Sequence, residues 1–174
     1  MRLEKCSKCN KFGYHERKKD HCQGCENIPK VLINKIHDKA RIPTKSDNLD
    51  ACFDLYACLD ESVVIEPSSR VLIPLGLKCF LPEGFEAQIR PRSGLAIKNG
   101  VTVLNTPGTI DEGYEGEWKV ILVNLGDEPF CVNSSDRIAQ VSFKKVEPVV
   151  LEFSENFGKK ETKRGEGGFG HSGI

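Results

Sequence analysis

From Val31 to Val146 the apolar residues come in short runs, and turn-forming residues separate them. The runs are VLINKIH at 31–37, CFDLYAC at 52–58, SVVIEP at 62–67, RVLIPLGLKCFLP at 70–82 and FEAQIRP at 85–91. VTVLN at 101–105, EWKVILVNLG at 117–126, FCVN at 130–133 and RIAQVSFKKV at 137–146 follow. Val, Ile and Phe dominate the runs, while Gly, Pro, Asn and Asp fill the gaps, which is how short strands and their turns are written. Breaks at intervals of about 8–12 residues favour an all-β sandwich, jelly roll or barrel over alternating β/α units. Only SGLAIKNG at 93–100 reads as helix, for a turn or two.

At 174 residues the chain has room for one ordinary domain with a small appendage. No apolar run approaches the ~20 residues of a membrane helix. The N-terminus, MRLEKCSKCNK, lacks the apolar core of a secretory signal. An intracellular, cytoplasmic protein without a membrane partner is therefore expected. The net charge of zero is a sum of unlike parts. Residues 1–25 carry seven Lys/Arg against three Asp/Glu, residues 26–157 fourteen against twenty, and residues 158–174 four against two. An acidic body argues against a broad nucleic-acid-binding face. Any anion bound there must be met by local Arg, backbone N–H groups or a metal.

Eight cysteines are many for this length, and four of them fall in the first 25 residues as Cys6-x-x-Cys9 and Cys22-x-x-Cys25. Without an export signal a disulfide framework is not expected. Each pair can offer two thiolates from a tight turn, and two such knuckles complete a tetrahedral Zn²⁺ site. So short a segment buries no useful core, so metal binding would supply its folding free energy. Iron or a redox dithiol pair is the alternative, and His15 and His21 are competing ligands. A closed site leaves no position for substrate, which makes a structural role the expectation, with docking to nucleic acid or a partner protein as the other reading. The remaining four, Cys52, Cys58, Cys79 and Cys131, read most simply as small buried apolar residues. The chain thus divides into a zinc-binding module and joint (1–30), a β domain (31–157) and a Gly-rich arm (158–174), in which six of seventeen residues are Gly.

Five stretches carry chemistry: ACFDLYA at 51–57, PRSGLA at 91–96, GTIDEGYEGEW at 108–118, DRIAQ at 136–140 and RGEGGFGHSG at 164–173. On residue chemistry alone each has two readings. Asp111, between a Pro-Gly turn and Gly113 where a strand ends and a hairpin begins, either stabilises its turn or holds a partly buried carboxylate toward a water. Ser93 either caps the short helix or offers a hydroxyl to phosphate beside Arg92 and the Gly94 turn. Tyr114 is either a cross-strand filler or a pocket wall, and the glycines of the arm are either linker composition or a wrapping loop.

Taken together and in this order, the five stretches resemble the motifs of the trimeric dUTPases, over about residues 31–174. The resemblance implies a β jelly roll assembled as a homotrimer, with active sites at subunit interfaces, that hydrolyses dUTP to dUMP and pyrophosphate. It implies Asp111 as the general base that activates water for attack at the α-phosphorus. It implies that Asn105 helps to fix the uracil end and the water, and that Thr109 and Ile110 are substrate-binding residues. Tyr114 packs on the deoxyribose and rejects a 2′-OH, and backbone groups near Lys119 read the uracil edge. Arg92, Ser93, Gly94 and Gln140 meet the phosphates, Arg137 anchors the fold, and Asp54 supports a substrate-chelated Mg²⁺ through water. The flexible arm closes over bound nucleotide, with Arg164 on phosphate, Phe169 over uracil, and Gly170 and Ser172 beside them. Cys52 stands where the family has Gly, and His171-Ser172 where it has Ser-Thr. The N-terminal cysteine segment lies outside the resemblance.

The related dCTP deaminases carry a Glu where this chain has Ile121 and a second Arg where it has Ile97, so deamination is not expected. A non-catalytic nucleotide-binding module on the same fold is the reading from a different class.

Overall fold

The computed structural model describes residues 28–155, 162 and 164–168, together with the backbone of two short strands, β1 (Leu3–Lys5) and β2 (Phe12–Tyr14). The zinc ligands expected at Cys6, Cys9, Cys22 and Cys25 and the arm residues Phe169, Gly170 and Ser172 lie outside the described residues.

Each β-prone run forms a strand, trimmed by one to a few residues at its ends. In order they are β3 (Leu32–Lys35), β4 (Phe53–Tyr56), β5 (Val63–Ile65), β6 (Arg70–Pro74), β7 (Leu77–Phe80) and β8 (Phe85–Arg90). Helix α1 (Ser93–Asn99) follows, then β9 (Val101–Val103), β10 (Gly108–Ile110), β11 (Lys119–Asn124), β12 (Phe130–Val132) and β13 (Arg137–Lys145). The 70–82 run, expected as one strand, is two. Gly76 sits at φ +64 between them, and a Cβ there would meet Cys58 Sγ at 2.7 Å. Only glycine fits that turn without strain.

All the pairings are antiparallel. One sheet has the order β10-β8-β13-β4 and a second the order β6-β11-β9, with β12-β5 and β3-β7 as two-stranded sheets. Alternate residues of these sheets meet in a single apolar cluster. Leu55, Ala87, Ile89 and Val141 come from the first sheet, Ile73, Val103, Val120 and Leu122 from the second, and Trp118 from the segment joining them. Asn124 is fully buried yet satisfied: its Nδ2 donates to the carbonyls of Ile65 and Glu128 at 2.8 Å, and its Oδ1 accepts from Gly126 N–H at 2.9 Å. That cross-linking fastens β11 to the β5 and β12 turns at little desolvation cost.

Three expectations change here. The segment after Asp111 is not a hairpin: β10 lies in the first sheet and β11 in the second, so residues 111–118 cross between sheets. Ser93 is the first helical residue rather than the cap. Arg92 occupies the N-cap, and no side-chain cap bond forms. Of the four scattered cysteines, only Cys58 and Cys79 are buried, while Cys52 is half-buried and Cys131 exposed. Burial pushes the Cys79 thiol up to about 12 and, with help from Glu117 and Asp60, raises that of Cys58 as well.

Candidate active site

The fold gathers the predicted residues into two pockets. The first, of about 280 Å³, lies where β9, β10 and β11 diverge. Its walls include Asn105, Thr109, Ile110, Asp111, Tyr114 and Lys119, with apolar side chains such as Ile89, Val103 and Ile121 behind them. Its size is close to the lower end of the ~300–1,000 Å³ of ligand sites, suited to one ring system.

Backbone pairing explains why the pocket exists. β9 pairs with β11 only from Val101↔Asn124 to Val103↔Leu122. Past that point Leu104 N–H still reaches the Ile121 carbonyl at 2.9 Å, and then the chain turns away through Asn105 to Gly108. Residues alternate in the direction of their peptide groups along an antiparallel strand. Lys119 therefore directs its N–H and C=O to the same side as Ile121, where β9 has already ended. Those main-chain groups stand at the pocket edge with no strand partner among the described residues.

Tyr114 is fixed across the same opening. Its N–H closes a turn onto the Asp111 carbonyl at 3.1 Å, and its hydroxyl donates to the Glu117 carbonyl at 3.0 Å. Tyr114 remains 45% exposed, so it is accessible to a ligand. Gly116 permits this pose, because a Cβ there would strike the Tyr114 ring and hydroxyl. Glu117, which the sequence did not single out, holds the crossing segment in place. Its Oε1 accepts from Gly76 N–H at 3.0 Å and its Oε2 lies 3.5 Å from Lys119 Nζ. The Asp111 side chain is exposed in the single chain, not partly buried as expected.

The second pocket, of about 410 Å³, is lined by Asp50, Cys52, Asp54, Arg92, Ser93 and Gln140, among others. Strand register builds it: Gln140 of β13 sits opposite Asp54 of β4 on one side and Arg90 of β8 on the other. Arg92 Nε donates to Asp54 Oδ1 at 3.1 Å, and Arg137 Nη1 donates to Asp54 Oδ2 at 3.2 Å. With its side chain 14% exposed, Asp54 is a largely sequestered anion between two guanidinium groups. Arg92 Nη1 also donates to the Arg137 carbonyl at 3.1 Å, and Gln140 Nε2 to the Pro91 carbonyl at 2.8 Å. Ser93 and Gly94 are exposed at the rim, where Gly94 belongs to the first turn of α1 rather than to a separate turn before it. Among the described residues no group of three or more His, Cys, Asp or Glu side chains is arranged to hold a metal ion.

The two pockets share no lining residue. Arg164 joins neither one: it lies in an exposed turn, where its Nε donates to the Gly167 carbonyl at 2.8 Å.

The dUTPase family model matches residues 38–173. A deoxyuridine 5'-triphosphate nucleotidohydrolase of Syntrophotalea carbinolica is 48% identical, over 83% of this chain and 97% of its own length. One from the Wolbachia of Culex pipiens is 50% identical over 83% and 95%. The Staphylococcus bacteriophage 80alpha dUTPase with dUPNHPP superposes with a TM-score of 0.72 at 26% identity, covering 83% of this chain and 99% of the phage chain. The match begins after the cysteine-rich segment and runs through all five motifs. From residue 38 onward, this chain belongs to the dUTPase family.

Proposed function

We propose that this enzyme, which hydrolyses dUTP to dUMP and pyrophosphate, does so at a site made of both pockets, with Asp111 as general base. The observation that carries the reading is the ring-sized pocket beside Asp111, walled by Tyr114 and edged by the free Lys119 peptide group. Uracil enters that pocket, where fixed main-chain donors and acceptors complement its edge and leave a cytosine mispaired. The Tyr114 ring lies along the deoxyribose and leaves no space for a 2′-OH, while Asn105, Thr109 and Ile110 complete the wall.

Asp111 accepts a proton from a water, and the water oxygen bonds to the α-phosphorus. The bond from that phosphorus to the oxygen bridging to the β-phosphate breaks, and pyrophosphate leaves with the electron pair. Arg92, Ser93, Gly94 and Gln140 bind the phosphates. Asp54 keeps Arg92 and Arg137 side by side, which lowers the cost of concentrating positive charge before substrate arrives. Both Asp54 oxygens are engaged by Arg, so the residue fits Mg²⁺ only through water. When bound with the triphosphate, Mg²⁺ supplies charge neutralisation and orientation.

A homotrimer supports this chemistry. The two pockets share no residue in one chain, Asp111 is exposed there, and an extended apolar segment follows β13. Val149, Val150, Leu151 and Phe153 in that segment are each at least 79% exposed, which calls for cover by another subunit. The arm from Gly158, with Arg164, Phe169, Gly170 and Ser172, then closes over nucleotide bound between subunits. Cys6, Cys9, Cys22 and Cys25 hold a structural Zn²⁺. The ladder from Leu3↔Tyr14 to Lys5↔Phe12 brackets residues 6–11, the stretch that carries the first cysteine pair. The module from residue 1 to 30 then remains available to dock a protein or nucleic acid.

Pyrophosphate release measured across dUTP, dCTP, dTTP and UTP tests the activity. After chelation, Mg²⁺ is added back alone. Turnover of dUTP only, lost on chelation and restored by Mg²⁺, supports the reading; comparable turnover of dCTP or UTP contradicts it. Elemental analysis should find one zinc per chain, lost in the Cys6→Ser/Cys9→Ser variant.

A further inference from the structure

The ladder that holds Asp111 ends one residue too early. β10 pairs with β8 from Gly108↔Ile89 to Ile110↔Ala87, and Asp111 is the next residue. Beyond it the chain turns at once, with Tyr114 N–H on the Asp111 carbonyl. A carboxylate on the first unpaired residue of a strand, at an exposed turn, has no built-in reason to hold one direction.

The neighbouring side chain supplies a tie. Glu112 reaches across to the turn that leads into β8, where its Oε2 accepts the Gly84 N–H at 2.8 Å. Gly84 is held from its other side as well, because its carbonyl accepts the Val146 N–H at 2.8 Å, just past the end of β13. Gly84 adopts φ +72, within the turn closed by Phe85 N–H onto the Pro82 carbonyl at 3.2 Å. The peptide groups of Gly84 are thus gripped by Val146 on one flank and by the Glu112 carboxylate on the other. The tie continues the β10–β8 pairing for two residues after the main-chain ladder stops, and Asp111 lies between its last rung and this side-chain rung.

We propose that Glu112 is a positioning residue for the reaction: its carboxylate, bonded to Gly84 N–H, fixes the direction of the Asp111 side chain. The proposal rests on Asp111 being the general base. Glu112 itself touches neither water nor phosphorus in this scheme. Its bond is exposed and contributes little to global stability. The effect falls on geometry, where a displacement of about 1 Å in a reacting group costs up to ~10²-fold in rate.

Reach and charge can be separated by substitution. Glu112→Gln keeps the reach and an acceptor oxygen but loses the charge. Glu112→Asp keeps the charge but falls short of Gly84. Glu112→Ala loses both. With the full-length enzyme, dUTP and Mg²⁺, kcat should fall on the order of tenfold in the Ala and Asp variants. KM should stay within about twofold, because dUTP binding does not use this tie. The Gln variant should recover most of the wild-type kcat, and the melting temperatures of all three should match that of the parent. A wild-type kcat in Glu112→Ala overturns the proposal, and so does a Gln variant as slow as the Ala variant, since charge rather than reach would then matter. Asp111→Ala, assayed alongside, separates the two levels. If it is inactive while Glu112→Ala is fast, the positioning role alone fails. If Asp111→Ala itself turns over dUTP, the base assignment fails and takes the positioning role with it.

Discussion

The two pockets of this chain are built from different materials. The one beside Asp111 is small, apolar at its back and edged by main-chain groups that the ladder leaves free. The one around Asp54 is lined by charged and polar side chains held in register by β4, β13 and β8. Main-chain groups at the end of a sheet cannot repack, so they suit the reading of a planar base that must be told from close analogues. Phosphates need charge more than shape. Here two Arg are kept beside each other by a carboxylate that offsets their mutual repulsion before substrate binds. The proposed function therefore gives selectivity to the first pocket and affinity for the triphosphate to the second.

The sharpest way to break that division is at Asp111. Asp111→Asn should retain dUTP binding and lose ~10²–10⁴-fold in turnover, measured by pyrophosphate release beside calorimetric titration with a non-hydrolysable dUTP analogue. In the second pocket, Asp54→Ala leaves Arg92 and Arg137 adjacent without their shared partner. KM for dUTP should rise while base selectivity stays intact, and thermal unfolding should show a loss of about 1–3 kcal/mol. Gly116→Ala acts in the opposite sense. The new Cβ displaces Tyr114, so the ratio of dUTP to UTP turnover should fall on the order of tenfold with phosphate affinity little changed.

The smallest effect lies far from both pockets. Lys39 Nζ donates to Asp60 Oδ1 at 2.9 Å, and that bond, with the charges of Lys39 and His37, holds the Asp60 carboxyl below its ordinary 3.8. A depressed carboxylate stabilises the fold above its unfolded pKa and loses that contribution as pH falls through the folded value. Lys39→Met should therefore lower the melting temperature slightly at neutral pH. The difference from wild type should shrink as pH is taken below 3.8. Base selectivity and KM should not move.

Much of this was legible in the sequence, and the reasons are local. Strands such as RIAQVSFKK announce themselves because alternation and β-branched residues serve a half-buried surface. The helix ended as written because Gly100, at φ +68, closes it on the Leu95 and Ala96 carbonyls. What failed depended on partners distant along the chain. Ser93 is a common capping residue type, yet the N-cap is Arg92, whose side chain bonds Asp54, 38 residues away, and caps nothing. β10 has only three residues, and its strand character comes from pairing with β8 rather than from its own composition. Asp111 could be read as a partly buried carboxylate, but it is exposed among the described residues. Glu112 and Glu117 carry no signal in sequence, because their partners Gly84 and Gly76 lie 28 and 41 residues away.

That the two pockets form one site across a subunit boundary can be tested by subunit complementation. Asp111→Asn and Arg92→Ala chains, each carrying its own tag, would be co-expressed and the mixed trimers purified. A site that draws Asp111 from one chain and Arg92 from its neighbour regains both wild-type residues at one seam of each mixed trimer, so the purified mixed trimers should recover about a third of wild-type turnover. If the mixed trimers form but turn over dUTP no faster than the two parent variants, the pockets do not complete one another across the boundary.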